Sequence, residues 1–253
     1  MRQNPTDFDD AGACRQRANF YRFLGRLLYE ELTDELIKEL ADSLTVVPLD
    51  SNMSETERTM AIGMNKMTKY VKHANADTKT ESKCDYARIF LGAGSVSKMP
   101  VSPYESVYTS PDRLLMQDSR DELCKLYRTE GLAINDSYNM PEDHIAFEFQ
   151  LMAHLLDKEA KALSASNESE SQQAGKATAG FVEQHIANWV TRFCEEAMPK
   201  ARTSFYQGVL QCIDAWTRLE CKLYEIDLDA VIKATVEKIR EEQRRRAHEA
   251  AVA

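Results

Sequence analysis

Asn139-Met140-Pro141-Glu142-Asp143-His144, followed by Ile145-Ala146-Phe147-Glu148-Phe149-Gln150-Leu151-Met152 and on to Leu156, is the stretch on which the fold reading turns. A polar run with a proline gives way to an apolar one. Ile145, Phe149, Met152 and Leu156 recur at helical spacing, which predicts a buried helix. Asn139 is the expected N-cap, with Glu142 three residues on completing a capping box and Pro141 in the first turn, where a missing N–H costs nothing. On that reading Glu142, Asp143 and His144 occupy the first turn, rigidly held and still within reach of a ligand.

Upstream, Tyr86 and Phe90 are four apart in a helix expected over Cys84–Leu91, ended by Gly92. Ala74–Lys83 reads as a polar loop. Val96–Ser110 reads as an irregular segment anchored by Tyr104 and Tyr108, long enough to suggest a functional loop. Ser110-Pro111 is the expected start of a helix carrying Leu114, Leu115, Leu123 and Leu126, ended at Gly131.

Toward the N-terminus a helix over about Ala11–Glu31 places Phe20, Leu24, Leu27 and Leu28 on one face, with Arg15, Arg22 and Arg26 on a solvated one. A second helix follows Thr33 or Asp34. Met60, Met64, Met67 and Val71 form a stripe that suits either a core face or an adaptable binding surface. Beyond Leu163 the Ser/Gln-rich run over 164–178 reads as a mobile linker. Helices are then expected over Phe181–Ala197, Phe205–Tyr224 and the charged tail from Asp227. The expected organisation is an N-terminal helical lobe (1–163), the linker (164–178), a C-terminal lobe (179–226) and a helical tail (227–253).

Composition agrees with helices. The 253 residues include only nine glycines and seven prolines, and β-branched runs are scarce. The fold class is all-α, with about ten helices in two lobes. Six cysteines without a C-x-x-C pair read as reduced core thiols of a cytoplasmic protein. No secretory signal pattern opens the chain, and no apolar run approaches the roughly 18 residues of a spanning helix. A net charge of -9 argues against nucleic acid and favours a basic partner.

Three pieces, in order, resemble the TorD/DmsD family of redox-enzyme maturation chaperones: Tyr86-Ala87-Arg88-Ile89-Phe90, Pro103-Tyr104-Glu105-Ser106-Val107-Tyr108, and the Asp143-His144 run with its apolar helix. A weaker fourth runs from His185 through Trp189 and Phe193 to Phe205-Tyr206. Met140 stands where the family usually has an acid, and Ile89 where it has leucine. The resemblance implies a cytoplasmic chaperone that binds the twin-arginine signal peptide, and the apo-form, of a molybdopterin oxidoreductase subunit and withholds export until its cofactor is in place. Such a protein needs no catalytic residue, metal or cofactor. Members exchange lobes, so a monomer or a lobe-exchanged dimer fits.

The residues support that chemistry independently. Tyr86, Phe90, Tyr104 and Tyr108 offer aromatic surface, although Tyr86 and Phe90 suit core packing equally well. Glu105, Glu142, Asp143 and Glu148 offer carboxylates to arginines, with Ser106 and His144 beside them. Two other readings stand: a related chaperone for a non-exported redox enzyme, and a helical metal- or nucleotide-dependent hydrolase using His144 and Glu148.

Overall fold

The computed structural model describes residues 11–93, 101–135, 138 and 140–252. The chain is all-α: among the described residues there is no strand, only one isolated antiparallel bridge between Tyr104 and His144. The eleven α-helices among the described residues are α1 Ala11–Tyr29, α2 Asp34–Ser43, α3 Glu55–Lys72, α4 Ala76–Phe90, α5 Glu105–Thr109, α6 Asp118–Thr129, α7 Ile145–Ser164, α8 Glu168–Phe181, α9 Val190–Ala197, α10 Ser204–Leu223 and α11 Leu228–Val252.

Helix α7 is the axis. Ile145, Phe149, Met152 and Leu156 are buried, as the spacing predicted, but so are Ala146, Phe147, Leu151 and Leu155. A helix apolar all round has to be surrounded; α1 packs along it on one side and α8 on another. α10 packs along α3, and their backbones approach closely at Gly63 and Gly208. One buried cluster joins Leu24 and Leu28 of α1, Met67 of α3, Phe149 of α7, Phe193 of α9 and Ile213 of α10.

The expected N-cap Asn139 lies outside the described residues. Helix α7 begins later than expected, at Ile145, with His144 as N-cap: its Nδ1 accepts the Ala146 N–H at 3.2 Å. Pro141, Glu142 and Asp143 therefore precede the helix. The reason is backbone pairing. The Ile145 N–H donates to the Pro103 carbonyl and the Asp143 carbonyl accepts from the Glu105 N–H, which commits these groups to the bridge.

Other expectations are corrected in the same way. The loop expected over 74–83 is mostly helix, because Asn75 and Thr78 form a reciprocal capping box that starts α4. The irregular stretch expected over 96–110 contains the short helix α5, while 94–100 lies outside the described residues. Ser110-Pro111 opens no helix. Ser110 ends α5, a turn follows, and α6 starts only at Asp118, leaving Leu114 and Leu115 exposed. The stretch expected as a linker, 164–178, is largely helix α8: Asn167 caps it, Glu168 and Glu170 suit its first turn, and Thr178 and Phe181 are buried. The single helix expected over Phe181–Ala197 is interrupted by a π-helical turn, Val182–Ile186.

Candidate functional site

The two signature segments meet at the bridge. Helix α5 has Tyr104 at its N-cap position, a residue that cannot cap and makes no side-chain cap bond. Asp143 supplies the cap from across the bridge, its Oδ2 accepting the Ser106 N–H at 3.0 Å. Ser106 passes the arrangement on: its Oγ accepts the Gln117 N–H at 3.0 Å and lies 3.2 Å from Ser119 Oγ, fixing the start of α6. One carboxylate thus anchors α5, and one hydroxyl links α5 to α6.

The π-helical turn faces this corner from the other side. His185 Nδ1 lies 3.0 Å from Glu105 Oε2, and Asn188 Nδ2 donates to Glu105 Oε1 at 2.7 Å. Trp189 Nε1 donates to Glu148 Oε2 at 3.0 Å and to the His185 carbonyl at 2.7 Å. The extra residue of a π turn, a feature frequent at functional sites, lets His185, Asn188 and Trp189 all reach inward.

Three buried acids, Glu105, Asp143 and Glu148, therefore share one corner. Burial pushes all three carboxyls above their usual range, and nearby carboxylates add to it: Asp143 acts on Glu105, Glu142 on Asp143, and Glu105 and Asp143 on Glu148. Glu148 is pushed well above its usual range, by burial first and then by Glu105 and Asp143, all of which favour its neutral form. Burial alone lowers His144 to about 3, so it is neutral as well. Glu142, on the rim, differs: burial pushes it up, but both oxygens bond Arg120, at 2.7 and 3.2 Å, and its carboxyl ends below the usual range.

Of the ten expected site residues, Glu105, Ser106, Glu142, Asp143, His144, Glu148 and Tyr104 come together here. Only Tyr104 and Glu142 are partly exposed. Tyr86 and Phe90 are core residues: their rings lie 5.1 Å apart and both pack against Tyr206. Tyr108 is buried against Trp189, donates to Glu196 Oε2 at 3.2 Å, and has Arg113 and Arg192 over its ring. His144 and Glu148, paired in the hydrolase reading, are engaged separately with Ala146 and Trp189. Sequence reasoning missed the acceptors' partners Asn188, Arg120 and Arg113, which carry no pattern of their own. It also missed Asp85, whose buried carboxylate accepts from the Arg202 and Thr203 N–H groups and from the Thr203 hydroxyl, holding the start of α10.

Above the corner lies a cleft of about 980 Å³. Glu105, Ser119, Glu122, Glu183 and Asn188 line one wall, and α11 forms the other with Val231, Lys238, Ile239 and Arg245 among its lining residues. Among the described residues, no helix is long and apolar enough to cross a membrane.

An all-helical body that pins two signature loops together beneath an acidic cleft defines the class. The chain is similar to the chaperone protein TorD of Aliivibrio fischeri, 28% identical over 213 residues, covering 82% of this chain and 94% of that protein. The TorD of Aliivibrio salmonicida is 28% identical over 208 residues, with the same coverages. That of Vibrio cholerae (strain O395) is 27% identical over 218 residues, covering 79% of this chain and 92% of its own. The family described as nitrate reductase delta subunit matches residues 55–195. The chain belongs to this family, the TorD-type redox-enzyme maturation chaperones.

Proposed function

We propose that this chaperone is cytoplasmic, binds the twin-arginine signal peptide of a molybdopterin oxidoreductase subunit, and holds the apo-form until its cofactor is inserted. Family membership supports the maturation role. The observation that carries the peptide reading is the acidic cleft over the paired signature segments, with Glu105 in its lining. Arginines of a basic segment pair with carboxylates there, and its apolar part covers exposed hydrophobic surface.

The expected contact residues divide by burial. Tyr104 and Glu142, the partly exposed ones, touch the peptide, while Glu105, buried and bonded to His185 and Asn188, backs the cleft wall. Ser106, Asp143, His144 and Glu148 position the segment that presents them, and Tyr86, Phe90 and Tyr108 support it from the core. Isothermal titration with a synthetic twin-arginine peptide tests this. Binding should weaken as salt rises, and Glu142→Gln should lower affinity while leaving the melting temperature within a few degrees. A peptide that binds no better than its scrambled version would sink the reading.

A further inference from the structure

Helix α11 is built unlike the helices it accompanies. It runs for 25 residues, yet among its described residues none is fully buried and Leu228 and Val231 near its start pack only partly buried against the core, whereas α7 and α10 bury most of theirs. Two contacts hold its distal half to the body. Gln243 Nε2 donates to the Pro111 carbonyl at 2.7 Å, and Arg246 pairs with Asp112 at 2.6 Å with both side chains about half exposed. An exposed pair of this kind stabilises by about 0–1 kcal/mol. The chain enters α11 through Glu225, a non-glycine residue in the left-handed region at φ 56°.

What α11 presents to the cleft is a basic and apolar stripe. Val231, Ala234 and Ile239 supply its apolar part, and Lys238, Arg245 and Arg246 its charge. Glu241 and Glu242 line the cleft too, but Glu242 is occupied by Arg245 and Arg246. The wall opposite carries Glu105, Asp118, Glu122 and Glu183, with no lysine or arginine among its lining residues. Beside it, between the cleft-lining Pro111 and Gln117, Leu114, Leu115 and Met116 stand exposed. The cleft therefore has one acidic wall and an apolar lip, and the helix facing that wall has the complementary chemistry.

We infer that α11 is a resident placeholder at the client site: it stands across from the acidic wall as the second wall of the cleft, facing it with its own basic-apolar stripe, and a basic-apolar segment of the client displaces it. This deepens the peptide-binding reading and rests on it. The acidic wall is then fully accessible only in the fraction of molecules with α11 released, so the apparent dissociation constant is the intrinsic one divided by that fraction. The placeholder keeps acidic and apolar surface from nonspecific occupants and makes release of the client favourable once α11 reseats.

A reducible tether tests this in the full-length chain. Asp112→Cys and Arg246→Cys are introduced in a Cys84→Ser background, since Cys84 is the exposed cysteine among six. A disulfide-containing bismaleimide then locks α11 in place. The probe is a synthetic twin-arginine signal peptide. Locking should lower its affinity at least about ten-fold, and cleavage of the linker by dithiothreitol should restore it. In the untethered wild-type background, Arg245→Glu with Arg246→Glu should raise affinity about two- to five-fold, as expected from loss of exposed ion pairs that favour the closed form. Peptide that binds locked and released protein equally overturns the placeholder and leaves the peptide reading standing. Peptide that binds neither form, nor the wild type, overturns both.

Discussion

His144 caps α7 as a neutral ring, and that makes it an acid-labile fastening. An N-cap accepting from Ala146 needs Nδ1 unprotonated, and burial lowers the ring to about 3. A group with a folded pKa below its unfolded value of about 6.5 stabilises fully above 6.5, and that contribution is lost as pH falls toward about 3. Glu105, Asp143 and Glu148 act in the opposite sense: their raised values favour the fold at low pH and lose that contribution as pH rises through them. Asparagine at position 144 can still cap but does not titrate. His144→Asn should therefore shrink the loss of melting temperature between pH 7 and pH 5, with only a few degrees' change at pH 7. Thermal melts across that range decide it; an unchanged slope would show that the acids, not His144, govern it. The importance of Asp143-His144 was legible in the sequence as a polar run against an apolar helix. Its inward direction was not, because the partners that bury it, Ser106 and Pro103, come from a segment about 40 residues earlier.

Among the helices, α3 and α10 approach each other closely, and glycine permits it. A Cβ on Gly208 would lie 2.5 Å from the Gly63 carbonyl and 2.9 Å from Met67 Cγ; one on Gly63 would lie 2.8 Å from the Gly208 carbonyl. Backbone cannot yield as a side chain can, so the helices must separate. Gly208→Ala should destabilise by about 1–3 kcal/mol despite alanine's better helix propensity. Gly180→Ala, in α8 with nothing within 4 Å of the added carbon, should instead stabilise by about 0.4–1 kcal/mol. Urea denaturation of the two variants should move in opposite directions, and a stabilised Gly208→Ala would mean the helices slide apart at no cost. At this scale the apolar stripes of α1, α2, α7 and α10 were readable from spacing. Polar helical stretches were not: the first half of α4 and nearly all of α8 looked like loops because little of either is apolar, and what makes them helices is a cap, Asn75 or Asn167, rather than a stripe.

For the whole molecule, the first and last core helices are joined by a buried ion pair that no local pattern reveals. Arg17 sits on the helix whose other arginines lie at the surface, Arg15 exposed and Arg22 and Arg26 half-buried in ion pairs, yet it turns inward to a glutamate 203 residues away. Its Nε and Nη2 donate to the two Glu220 oxygens at 2.9 and 2.6 Å, Nη2 also donates to the Tyr224 hydroxyl, and the Tyr21 hydroxyl donates to Glu220 at 3.3 Å. Burial works against the Arg17 charge, but Glu220 more than offsets it and the guanidinium is raised. A fully bonded pair of this kind adds little over a well-packed apolar one, whereas half of it is costly. Arg17→Met alone leaves the Glu220 carboxylate buried without its partner and should destabilise by about 3–5 kcal/mol. At about 2–4 °C per kcal/mol for a chain of this length, the melting temperature falls by roughly 6–20 °C. Adding Glu220→Leu removes the stranded charge and should recover most of that loss, a coupling that a double-mutant cycle reads directly. Additive losses in the double variant would show that the pair stabilises through packing of its individual side chains, and that α1 and α10 are held together without it.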